Sequence, residues 1–125
     1  MYSVLYVDDD PDVVEIYTEV LEQLCCSVVS APEGQVALRL ATRLRLDLII
    51  TDVSMPGMNG LELCQRLRAD ETLRHIPRII HSGESAILIP RDEVFLPKGR
   101  ELPEFMDLVI QTLGNPCHDM LDSVA

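Results

Sequence analysis

The chain has 125 residues, 47% of them hydrophobic and 4% aromatic, with a formal net charge of −11. That length is one domain with enough chain to bury a core, and no apolar run approaches a membrane span. Residues 1–38 hold eight acids and no Lys or Arg, while all ten basic residues lie between positions 39 and 100, which argues against a basic face for direct nucleic-acid binding.

No basic stretch followed by a long apolar one opens the chain, so the cytoplasm is the expected compartment. Val4–Val7 is apolar and bounded by Asp8, Asp9 and Asp10, and reads as a buried strand. Pro11 behind Asp10 reads as a first-turn proline behind an N-cap. Val13, Ile16, Tyr17, Val20, Leu21 and Leu24 then fall on one helical face. Ser27–Ser30 is a second strand, ended by Pro32, and Val36, Ala37, Leu40, Ala41 and Leu44 mark the next helix.

Asp47–Thr51 is a third strand, running into Asp52 and a loop over Val53–Asn59 punctuated by Pro56, Gly57 and Gly60. Leu63, Cys64 and Leu67 place a third helix ending near Asp70. Arg78–His81 and Val94–Leu96 are further strands. Leu102, Phe105, Met106, Val109, Ile110 and Leu113 form a last helical face, closed by Gly114 and Pro116. Short apolar strands alternating with amphipathic helices imply a parallel sheet covered on both faces. Only eleven residues, Gly83–Glu93, separate Ser82 from the fifth strand, and Pro90 interrupts them. A crossover with its helix needs about 10–12 residues, so the helix between strands four and five is expected to be a turn or two around Glu84–Ile89, or missing. Residues 115–125 read as a tail or the start of a linker, leaving one unit over 1–114.

Four cysteines, at 25, 26, 64 and 117, have no metal-ligand spacing, and a reducing compartment disfavours disulfides; structural or incidental roles are expected. His75 and His81 likewise carry no ligand spacing and read as structural or surface residues.

Ligands of an open parallel sheet bind beyond the carboxyl ends of its strands. Asp8-Asp9, Asp52, Ser82 and Lys98 all fall at such ends. Three carboxylates within about 5 Å repel by ~3 kcal/mol per pair at an effective dielectric of about 20. A hard divalent cation with oxygen ligands offsets that, and Mg²⁺ typically bridges such ligands to phosphate. A hydroxyl and an ammonium beside it can take the other oxygens of a transferring phosphoryl group. Ser82 and Lys98 supply one of each, and Lys98 is the only lysine in the chain.

The run Val4-Leu5-Tyr6-Val7-Asp8-Asp9-Asp10-Pro11, with Asp47–Gly60 and its Thr51-Asp52-Val53-Ser54-Met55-Pro56-Gly57-Met58-Asn59-Gly60 core, resembles the response-regulator receiver family over about residues 3–113. The resemblance implies a flavodoxin-like five-stranded parallel sheet, order 2-1-3-4-5, with helices on both faces. It implies Asp52 as phosphoacceptor, taking a phosphoryl group from a histidine kinase or histidine phosphotransfer protein. It also implies Mg²⁺ held by Asp9, by Asp8 largely through water, by Asp52 and by the Ser54 backbone carbonyl. Ser82 and Phe95 match the switch pair and Lys98 the phosphate-contacting lysine. Ser54 and Glu84 flank the path of the attacking water and are expected to set the acylphosphate lifetime. Gly99 stands where relatives carry a proline, which is expected to loosen Lys98, and Phe95 lacks a phenolic hydroxyl.

On these grounds the chain is expected to be a signalling module that promotes its own phosphorylation and dephosphorylation, not a turnover enzyme. A degenerate receiver acting as a phosphorylation-independent interaction module is the alternative. An aspartyl-phosphate phosphatase is disfavoured, because no acidic pair follows the lysine strand. The downstream effector and the oligomeric state are not legible.

Overall fold

The computed structural model describes residues 1–83, 89–90, 92–99 and 102–114. Among these residues lie five strands, β1 (Tyr2–Val7), β2 (Cys26–Ala31), β3 (Leu48–Thr51), β4 (Arg78–Ser82) and β5 (Val94–Pro97), and four helices. The helices are α1 (Pro11–Gln23), α2 (Gly34–Arg43), α3 (Gly60–Ala69) and α4 (Leu102–Leu113). All strand pairs are parallel, in the order β2-β1-β3-β4-β5, as expected from the sequence. The helical turn expected around Glu84–Ile89 and the tail at 115–125 lie largely or wholly outside the described residues.

Two helices start on side-chain caps. Asp10 is extended and accepts the Asp12 N–H, satisfying a donor that the first turn of α1 leaves open, and Pro11 occupies the position that needs no N–H. Asn59 caps α3 by accepting from the Glu62 N–H. Gly114, at φ 73°, follows the last turn of α4.

The central strands are largely apolar, with the buried polar exceptions Thr51, His81 and Ser82 toward their carboxyl ends, because helices cover both faces of the sheet. One core joins Val4, Tyr6, Leu48, Ile50 and Ile79 to Val20 and Leu21 of α1 and Phe105 and Val109 of α4. The other joins Leu5, Val7 and Ile49 to Ala37 and Ala41 of α2 and Leu63 and Leu67 of α3. Burying each of the larger side chains contributes roughly 1.5–3 kcal/mol before entropy is counted.

The end of the sheet away from the strand tips is tied by charge. Arg78 makes a two-pronged ion pair with buried Glu93, closing at 2.7 Å, and Arg68 of α3 pairs with Asp92. This bridge seats the start of β5 beside β4. Cys26 and Cys64 are buried free thiols. Cys25, half-buried at the turn after α1, is disulfide-bonded, a departure from the disulfide-free expectation at the one described cysteine that is not fully buried.

Candidate functional site

Backbone pairing carries the polar residues one step past the strand ends. The Asp52 N–H donates to the Val7 carbonyl at 2.9 Å, extending the β1–β3 ladder beyond its Val7–Thr51 pair. The Asp8 N–H donates to the Ala31 carbonyl at 3.1 Å, and the Lys98 N–H to the Ser82 carbonyl at 2.8 Å. Parallel register therefore sets Asp8, Asp52, Ser82 and Lys98 along one edge, as the sequence implied.

There the side chains converge. The Lys98 Nζ lies 2.5 Å from an Asp8 oxygen and 3.2 Å from an Asp52 oxygen. Asp8, Asp9 and Asp52 each offer a carboxylate oxygen, all within 4.8 Å of one another. Asp8 and Asp52 are buried and Asp9 is exposed, so the cluster opens to solvent on the Asp9 side. Asp9, Val53, Ser54, Met55 and Asn59 line an open cleft of about 490 Å³ on that side.

Local hydrogen bonds hold the carboxylates in place. Asp8 accepts from the Asp10 N–H at 3.0 Å and Asp52 from the Val53 N–H at 2.8 Å. Burial raises Asp8 above the ordinary carboxylate range, opposed by the hydrogen bond from Lys98. Burial pulls the Lys98 ammonium down, but the Asp8 hydrogen bond and the charges of Asp52 and Asp8 outweigh it, so its pKa rises. The ammonium is thus held charged between two carboxylates.

Three carboxylate oxygens at this spacing fit a hard divalent cation such as Mg²⁺, which neutralises charge that one ammonium leaves uncompensated. The donor set, all oxygen, with one exposed member, suits an ion that keeps part of its water shell.

Of the remaining expected residues, Ser82 is fully buried at the end of β4, Ser54 is exposed in the cleft, and Phe95 is half-buried on β5 in register with Ile80. Glu84 lies outside the described residues. Lys98 makes both ion pairs in this geometry, with the following Gly99 at φ 86°.

Sequence reasoning assigned nothing specific to Tyr6 and His81, which lie directly beneath the site. The Tyr6 hydroxyl and His81 Nδ1 share a hydrogen bond at 2.8 Å, both side chains buried. Tyr17 stacks on Tyr6, with centroids 5.7 Å apart, and meets His81 edge-on at 4.5 Å, while Phe105 closes the cluster. An aromatic inside β1 with a histidine inside β4 was the available signal; register was needed to join them.

Known proteins agree with this geometry. The family description "response regulator receiver domain" matches residues 4–90. The polar-differentiation response regulator DivK of Brucella anthropi is 29% identical over 119 residues, covering 90% of this chain and 97% of that one. The receiver domain of a signal transduction histidine kinase from Syntrophus aciditrophicus superposes with a TM-score of 0.83 at 29% identity, over 90% of each chain. The response regulator TrrA of Thermotoga maritima, solved with Mg²⁺ and BeF, superposes with a TM-score of 0.82 at 27% identity, over 90% of this chain and all of that one. By fold, by motif and by these relatives, the chain belongs to the response regulator receiver domains, the signalling modules of two-component systems.

Proposed function

We propose that Asp52 is the phosphoacceptor. The observation that carries this reading is Asp52 itself: one carboxylate oxygen sits 3.2 Å from the only lysine, and another group of oxygens, from Asp8 and Asp9, lies within 4.8 Å. A carboxylate oxygen of Asp52 attacks the phosphorus of a phosphohistidine on a histidine kinase or phosphotransfer protein. The P–N bond breaks, and its electron pair returns to the departing imidazole. Lys98 and Ser82 contact equatorial oxygens of the moving group.

Asp8, Asp9, Asp52 and the Ser54 carbonyl would hold Mg²⁺, which supplies charge neutralisation at the phosphoryl oxygens. Hydrolysis of the acylphosphate returns Asp52, with Ser54 and Glu84 beside the water's path, so the module promotes both its phosphorylation and its reset. Ser82 and Phe95 carry the change outward to an effector. The receiver unit runs over 1–114, with 115–125 a tail or the start of a linker. The protein works in the cytoplasm, without direct nucleic-acid binding, in keeping with its charge of −11.

The test is incubation with acetyl phosphate or beryllofluoride and Mg²⁺, beside Asp52→Asn, followed by intact mass and amide NMR. Mg²⁺-dependent modification of the parent alone is expected, with shifts reaching Ser82 and Phe95. Absence of modification in a Mg²⁺-binding protein would sink the reading. It would favour a phosphorylation-independent interaction module, a second reading motivated by the eleven residues, interrupted by Pro90, that the sequence leaves between Ser82 and β5.

A further inference from the structure

Lys98 reaches two carboxylates although its main chain has just left the sheet. Its N–H donates to the Ser82 carbonyl, one step beyond the Ser82–Pro97 pair of β4 and β5. Its other side is Gly99, where the chain turns with φ at 86°. Any residue with a Cβ adopts such a φ rarely. A Cβ built at Gly99 meets nothing within 4 Å, so crowding is not what glycine relieves there. What glycine supplies is conformation.

We propose that Gly99 is the positioning residue for Lys98: its left-handed φ, opposed to the Ser82 ladder bond, aims the Nζ between Asp8 and Asp52. The strand fixes the main chain before the lysine and the glycine fixes it after. With both ends set, the side chain spans to Asp8 at 2.5 Å and Asp52 at 3.2 Å. A residue confined to negative φ would redirect the chain at 99, tilt the Cα–Cβ bond of Lys98, and withdraw the ammonium from Asp52, the more distant partner.

The inference rests on the phosphoacceptor reading for its functional weight, but its test does not. Because Lys98 is the only lysine, protein labelled with ¹⁵N- and ¹³C-lysine gives one ammonium signal, read without metal or phosphodonor. In the parent that signal is expected away from the position of a solvated lysine, with slowed proton exchange. Gly99→Ala, measured well below its Tm with the fold verified by amide spectra, should move it toward the solvated position. The rate of Mg²⁺-dependent phosphorylation by acetyl phosphate should fall about tenfold or more, since a misplacement of ~1 Å can cost on the order of a hundredfold. Gly99→Asn, which tolerates positive φ far better than Ala, should keep the parent's signal and more than half of its rate.

A Gly99→Ala protein with the parent's ammonium signal overturns the proposal, whether its rate falls or not. So does Asn behaving as Ala, which would trace the loss to the added side chain. A parent that is never phosphorylated sinks the phosphoacceptor reading alone, and the ammonium signal still decides the role of Gly99.

Discussion

Tyr6 of β1 and His81 of β4 are joined by a 2.8 Å hydrogen bond that spans the central strand, two residues from Asp8 and one from Ser82. Displacing the tip of β4 relative to β1 must break this bond or carry it along. Replacing Tyr6 by Phe leaves the buried imidazole nitrogen unpaired while the ring stack stays. The expected cost is about 1–2 kcal/mol, read as a lower urea midpoint with unchanged slope.

The same imidazole makes the protein acid-sensitive. Burial first, then the charge of Lys98, hold His81 down to about 4, against an ordinary value of 6.5. The unfolded chain takes up a proton below 6.5 and the folded chain does not until about 4. Stability that is complete above pH 6.5 is therefore withdrawn as pH falls to 4, by about 3 kcal/mol. Melting curves from pH 7 to pH 4.5 should fall more steeply for the parent than for His81→Phe. Equal slopes would remove His81 as the cause.

Gly60 opens α3 against the main chain of Asp52. A Cβ there would sit 1.8 Å from the Asp52 carbonyl oxygen, a main-chain atom that cannot rotate away. Gly60→Ala is expected to cost at least about 3 kcal/mol, measured by denaturant titration, or to prevent folding.

Asp9 separates metal binding from folding. It is the exposed member of the acid cluster, so Asp9→Asn should leave stability within about 0.5 kcal/mol. Losing one carboxylate charge at ~4 Å should weaken Mg²⁺ on the order of a hundredfold, as a screened interaction of about 4 kcal/mol allows. Calorimetric titration of both proteins with Mg²⁺ gives the comparison. Equal affinities would move the metal off Asp9.

Glu93 is buried against Arg78, with a side-chain exposure of 1%. Glu93→Gln removes the charge that faces the partly exposed Arg78, whose guanidinium keeps its bonds to the Arg74 and Ile76 carbonyls, and is expected to cost about 1–3 kcal/mol, read by denaturant titration.

The strands and helices were legible because their apolar spacing is local. Asp10 as the cap of α1, the end of α3 near Asp70 and the start of α4 at Leu102 all followed from neighbouring residues. The meeting of Asp8, Asp52 and Lys98 followed from a topological rule, ligands at carboxyl strand ends, applied to three separate segments. What stayed hidden depends on register or on pairing across many residues. His81 finds Tyr6 across 75 positions and Arg78 finds Glu93 across 15, and neither separation carries a period. The turn at 70–76, which buries Leu73 and Ile76 through bonds to the Asp70 carbonyl and its side chain, was missed because it is too short for a periodic signal. At Gly99 the sequence showed only a missing proline ring; its φ of 86° was not visible there.

The ring cluster under the acids also sets what the protein looks like to light. The chain has no tryptophan and three tyrosines, so its ultraviolet emission is tyrosine emission. Two of the three, Tyr6 and Tyr17, stack on each other and meet the His81 imidazole edge-on. The unlabelled protein carries its own optical probe on β1, two residues before Asp8, with only Tyr2 as background.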